Sequence, residues 1–128
     1  MNTAELIDAA VKARNSAYSP YSGITVGAAV RSSDGTVYTG ANVENASYGL
    51  TICAERNAVF SAVSDGATKL ISVAIATEDA LSPCGACLQV LAEFASPQLD
   101  VHLLDAQGTR VMTTLGDLLP HPPSIPKA

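Results

Sequence analysis

Three cysteines and one glutamate stand where they can do metal chemistry. Cys53 and Glu55 belong to C-A-E, and Cys84 and Cys87 to P-C-G-A-C. Residues three apart in a helical turn point the same way. A helix N-terminus also stabilises a thiolate through its free N–H groups and its dipole. Two such helix starts facing each other gather three thiolates around one soft cation, and zinc suits sulfur ligands in a tetrahedron. Structural zinc takes four protein ligands, whereas three plus a water describe a catalytic site with an open position. His102 lies inside an expected strand and His121 in the tail, so neither is an easy fourth ligand. Taken alone, the cysteines also read as small buried apolar residues, or Cys84–Cys87 as a redox pair. Glu55 alone is ordinary helix-terminal electrostatics. Beside an open metal position it becomes a proton shuttle, and C-x-E followed by P-C-x-x-C is the Cys-ligand form of a zinc deaminase signature.

The elements that must position these residues follow from periodicity. Residues 3–14 read as a helix capped by Asn2, with Leu6, Ala9, Ala10 and Ala13 on one face. Residues 17–23 form a loop. Residues 25–31 and 37–41 are expected to pair as a hairpin across Ser33-Asp34-Gly35. Residues 42–49 are polar and run from a strand end into a loop. Helices are expected over 54–64 and 85–95, and strands over 70–76 and 100–104. A short edge strand at 111–113 and a short helix before Pro120 complete the order. Helices beside apolar strands predict an α/β layer sandwich. The 128 residues suit one domain, with 121–128 a Pro-rich tail.

Composition narrows the partners. Hydrophobic residues make up 48%, with no Trp and two Phe, so the core is packed from small side chains. The net charge is −5, with seven basic and twelve acidic residues and no basic cluster. A phosphate backbone needs such a cluster. A small, roughly neutral ligand fits better than a nucleic acid. No stretch reads as an export signal or a membrane span, so a cytoplasmic protein is expected. Three cysteines without an export signal do not predict a disulfide scaffold.

The sequence resembles the small, homotetrameric, zinc-dependent cytidine deaminases. The resemblance is carried by Tyr18–Gly23, Val26-Gly27-Ala28-Ala29, the block Asn42-Val43-Glu44-Asn45-Ala46-Ser47-Tyr48-Gly49, Cys53-Ala54-Glu55-Arg56 and Ser82–Cys87 with Gln89-Val90. It covers about residues 5–120 and implies a three-layer α/β/α sandwich with a mixed five-stranded sheet. It implies hydrolysis of cytidine or 2′-deoxycytidine to the uridine counterpart, with release of ammonia. Cys53, Cys84 and Cys87 are then ligands to one zinc ion per subunit, and Glu55 is the general acid/base. Ala54 meets the base through its backbone. Asn42 and Glu44 bind the sugar, chiefly its 3′-hydroxyl; residues i and i+2 of an extended chain point the same way. Arg56 offsets the excess negative charge of three thiolates on one zinc. Tyr48 is the tyrosine shared between active sites that lie near subunit interfaces.

The sequence departs from the family's pattern at three places. Ile24 stands where the family places a Phe against the pyrimidine, Leu88 where it commonly has Arg, and Pro122, Pro123 and Ile125 where it carries an aromatic. These changes keep open a deaminase for a free base or for a modified nucleoside such as blasticidin S. A non-enzymatic module around structural zinc is the reading from another class; it requires a fourth protein ligand such as His102.

Overall fold

The computed structural model describes residues 2–128. Helix α1 (Thr3–Ala13) starts where Asn2 Oδ1 accepts the Ala4 N–H at 2.9 Å, an N-cap bond that satisfies one of the free donors of the first turn. A 3₁₀ turn at Arg14–Ser16 follows. Strands β1 (Gly27–Ser32) and β2 (Val37–Ala41) form the expected hairpin. Then come α2 (Ala54–Ser64), β3 (Leu70–Ala76), α3 (Gly85–Phe94), β4 (Asp100–Leu104), β5 (Arg110–Thr114) and α4 (Leu115–Leu118).

The sheet has five strands in the order β2-β1-β3-β4-β5. Only β3 and β4 run parallel; the other neighbours are antiparallel, so the sheet is mixed. A parallel pair requires a crossover, here supplied by α3. Successive strand residues face opposite sides, and both sides are apolar. Ala28, Val30, Val73, Ile75, Val101 and Leu103 pack with Ala58, Val59 and Ala62 of α2 and Leu88 and Leu91 of α3. Ala29, Ala74, Ala76 and Leu104 pack with Leu6 and Ala10 of α1. The three layers are therefore α1, the sheet, and α2 with α3.

Small residues set the spacing of these layers. A Cβ on Gly27 falls 2.2 Å from Ala10 O, and one on Gly40 falls 2.4 Å from Ala58 N. Both helix backbones thus lie directly against the hairpin. This seating matters because α2 carries Glu55 in its first turn and Cys53 at its cap.

Helices α1 and α3 each end one residue earlier than expected, and two strands differ more. β1 begins at Gly27 rather than at residue 25, because side chains claim the preceding backbone. Arg14 Nε donates to Thr25 O, and the Asn42 amide takes the Val26 N–H and donates to Ile24 O. The edge strand is longer than 111–113, since β5 pairs with β4 from Arg110 to Thr114.

Candidate metal centre

Cys53 is the N-cap of α2 and Cys84 is the N-cap of α3, with Cys87 one turn further on. Cys53 leaves its helix-cap backbone extended, and so does Cys84. The two helix starts bring the sulfurs together. Cys53 Sγ lies 3.9 Å from Cys84 Sγ, which lies 3.4 Å from Cys87 Sγ, and all three are within 4.8 Å of one another. A tetrahedral zinc with Zn–S bonds of about 2.3 Å spaces its sulfurs by about 3.8 Å. The donor type and the spacing both fit a zinc ion. Among the described residues these three form the one group of His, Cys, Asp or Glu side chains set to hold a metal.

The sulfurs differ in their electrostatics. The thiol of Cys87 donates to Cys53, Arg56 adds a second donor, and the Cys53 pKa drops to about 5. The same bond, with burial, pushes the Cys87 thiol up. Arg56 Nη2 lies 3.4 Å from Cys53 Sγ, and its own proton is held more tightly by that contact. Its Nε is buried with no hydrogen-bond partner.

Glu55 is 5% exposed. Burial pushes its carboxyl up; its own backbone N–H opposes this, and the Cys53 thiolate adds to it. Burial thus favours its protonated form more than that of an ordinary surface glutamate. Cys53, Ala54, Glu55 and Cys84 share a cavity of about 220 Å³ with Asn42, Thr51, Ile75 and Thr77. It opens at the carboxyl end of β3, where α/β sheets bind their ligands.

A second cleft adjoins this cavity through Thr51. It is lined by Tyr21, Ser22, Glu44, Asn45 and Tyr48. Asn42 and Glu44 do point the same way, toward the segment 21–26. Asn42 Oδ1 accepts from Val26 N–H at 2.9 Å and its Nδ2 donates to Ile24 O at 2.8 Å. Glu44 Oε1 accepts the N–H groups of Tyr21 and Ser22, and Oε2 accepts the Ser22 hydroxyl. These bonds hold the Glu44 carboxyl below the usual range, the Ser22 hydroxyl contributing most.

The remaining expected residues are placed differently. Ile24 is half-exposed and lines another cleft with Arg14, Thr25, Glu78 and Leu81. Tyr48 is 80% exposed beside Glu44. Leu88 is buried in the core with Leu91, so within this chain it packs as an ordinary apolar residue. His102 alternates with Val101 and Leu103 along β4 and so faces α1, across the sheet from the core those residues build with α2 and α3. The cysteine group does not include it. Sequence reasoning missed Thr51, Thr77 and Ser22. Thr77 Oγ1 accepts the Leu81 N–H at 2.9 Å and braces the loop leading to Cys84. Ser22 reaches Glu44 only through folding, and although Thr77 bonds a near neighbour, nothing in the local residues places it or Thr51 beside the cysteines.

Comparison with known proteins agrees with this geometry. The profile of the "Cytidine and deoxycytidylate deaminase zinc-binding region" matches residues 1–102, which include all three cysteines. A cytidine deaminase of Sporosarcina psychrophila is 48% identical over 122 residues, covering 94% of this chain and 90% of the relative. A blasticidin-S deaminase of Bacillus cereus is 32% identical over 105 residues, covering 74% of each. The crystal structure of cytidine deaminase from Burkholderia pseudomallei superposes with a TM-score of 0.91 at 48% identity, covering 95% of this chain and 99% of that one. With that fold, a sulfur triad able to hold zinc and these matched lengths, the chain belongs to the cytidine deaminase family.

Proposed function

We propose that this protein is a zinc-dependent hydrolase that converts cytidine and 2′-deoxycytidine to uridine and 2′-deoxyuridine with release of ammonia, as in pyrimidine salvage. The observation that carries the reading is a three-sulfur cluster opening onto a cavity that also holds a buried glutamate. Cys53, Cys84 and Cys87 would hold one zinc ion per subunit, and such an ion would lower the pKa of a water in the cavity. Glu55 takes a proton from the water that attacks C4 and gives it to ring N3, then takes the remaining proton of the added hydroxyl and delivers it to the departing amine. Its burial suits it to both directions of transfer. The Ala54 backbone meets the base, Asn42 and Glu44 receive the sugar, and Ile24 packs near the pyrimidine. Arg56 offsets charge at the thiolates.

The chain works as one 128-residue unit with a Pro-rich tail at 121–128, assembled as a homotetramer whose active sites lie near subunit interfaces, with Tyr48 at the shared edge. Thiolate ligands persist best in a reducing compartment, which favours the cytoplasm. Among the described residues, no helix is long and apolar enough to cross a membrane. A deaminase for blasticidin S or a free base is the second reading; the Bacillus cereus relative favours it. The higher identity to cytidine deaminases and the presence of Asn42 and Glu44 favour the first.

The test is an absorbance assay with cytidine, 2′-deoxycytidine, cytosine and blasticidin S, with zinc measured on the same sample. Turnover of the two nucleosides at one zinc per chain is expected. Glu55→Gln keeps its zinc and loses about 10²–10⁴ in kcat. Full turnover by a zinc-loaded Glu55→Gln sample removes Glu55 from the mechanism.

A further inference from the structure

The Ser22 hydroxyl bridges two parts of the site. It donates to Glu44 Oε2 and accepts the Ile24 N–H at 3.0 Å. A hydroxyl has one proton to give and two lone pairs to receive. The Ile24 N–H is a donor, and an ionised carboxylate is an acceptor only. The Ser22 proton therefore has one place to go, which is Glu44. The other carboxylate oxygen, Oε1, already receives two backbone N–H groups, from Tyr21 at 2.9 Å and Ser22 at 3.1 Å. Of about four acceptor positions on the carboxylate, three are filled and one, on Oε2, is left. Glu44 and Ser22 both line the cleft that joins the metal cavity at Thr51.

We propose that Ser22 is a positioning residue that fixes the Glu44 carboxylate with a single open acceptor for the sugar's 3′-hydroxyl, and so sets sugar discrimination. This inference rests on the nucleoside reading given above. The hydroxyl fixes the rotation of the carboxylate about its last bond. With Ser22 replaced by Ala, the two backbone donors still hold Oε1, while Oε2 swings free and is met by water. Ser22 is exposed, so removing its oxygen leaves no core cavity, and a surface change of this kind alters stability little. The same oxygen receives Ile24, so the sugar-facing carboxylate and the residue expected beside the base are held by one atom.

The experiment compares zinc-loaded wild type, Ser22→Ala, Ser22→Thr, Glu44→Ala and the Ser22→Ala/Glu44→Ala pair. Each is assayed on 2′-deoxycytidine and on 2′,3′-dideoxycytidine, which lacks the 3′-hydroxyl. Where turnover of the second is too slow, its inhibition constant replaces kcat/KM. Ser22→Ala is expected to lose about tenfold more on 2′-deoxycytidine than on the dideoxynucleoside, as expected for one charge-assisted hydrogen bond. The loss falls on KM rather than kcat. Ser22→Thr, which keeps a hydroxyl, restores most of it, and Ser22→Ala adds nothing once Glu44 is Ala. Equal losses on the two nucleosides, or additive losses in the pair, overturn the positioning role. Wild type that deaminates 2′-deoxycytidine while Ser22→Ala is unchanged overturns this inference alone. Wild type that processes neither nucleoside sinks the proposed function, and this inference with it.

Discussion

Cys53, Cys84 and Cys87 share one chemistry and differ in their surroundings. Cys53 accepts from Cys87 and lies 3.4 Å from the Arg56 guanidinium, and its pKa falls to about 5. Cys87 is buried, and its thiol is pushed up. The thiolate is the species that attacks an alkylating agent. In native, chelator-treated protein, Cys53 is thus expected to react with iodoacetamide with an inflection near pH 5, while Cys87 stays protonated and slow. The sign is fixed by the direction of the shift: the thiolate persists as pH falls until about 5 and is lost below it. Peptide mass spectrometry across pH 4–9 checks this, and Arg56→Ala moves the inflection upward. A Cys53 profile that rises only near the pH of a free thiol contradicts the assignment of Arg56 to the sulfurs.

At the scale of elements, the helix that carries Glu55 and is capped by Cys53 is located by a glycine. Gly40 sits where a Cβ meets the backbone of α2, 2.4 Å from Ala58 N and 2.6 Å from Ala54 O. Backbone cannot move aside as a flexible side chain does, so Gly40→Ala shifts α2 away from β2. The expected cost is about 1–3 kcal/mol, the range for overpacking a tight interior, read as a lower urea midpoint at unchanged m-value. Gly49 is the control, since nothing lies within 4 Å of its Cβ position. Gly49→Ala is expected within about 0.5 kcal/mol of wild type. Equal midpoints for the two variants contradict the close seating of α2. Helix α2 and strand β3 fall where periodicity puts them. The start of β1 does not, because its expected first residues give their hydrogen bonds to the side chains of Arg14 and Asn42, which alternation in the sequence does not report.

On the scale of the whole molecule, several large apolar side chains remain uncovered. Val43 and Phe60 are about half-exposed along one groove between β2 and α2. Tyr48 and Leu50, on the segment joining those elements, are more exposed still. Covering these side chains by association would remove apolar surface from water. Wild type is expected to sediment as four chains at micromolar concentration, and Phe60→Asp as smaller species. A monomer in the wild-type run refutes the proposed tetramer.

The sequence by itself determined the ligand types, the glutamate beside them and the helix starts that carry them. Those features are local: C-x-E and C-x-x-C span less than two helical turns, and short-range geometry dictates which way their side chains point. Alternation and helical spacing likewise disclosed the layers, because each element shows its buried side in its own residues. Tertiary structure decided the rest. It closed Cys53 onto Cys84 across 31 positions and laid Ser22 against Glu44 across 22. It also placed His102 on the α1 side of the sheet, outside the sulfur group. Those contacts depend on the strand order and on how closely the helices approach the sheet. They are set by packing of the whole chain, which no short window of residues contains.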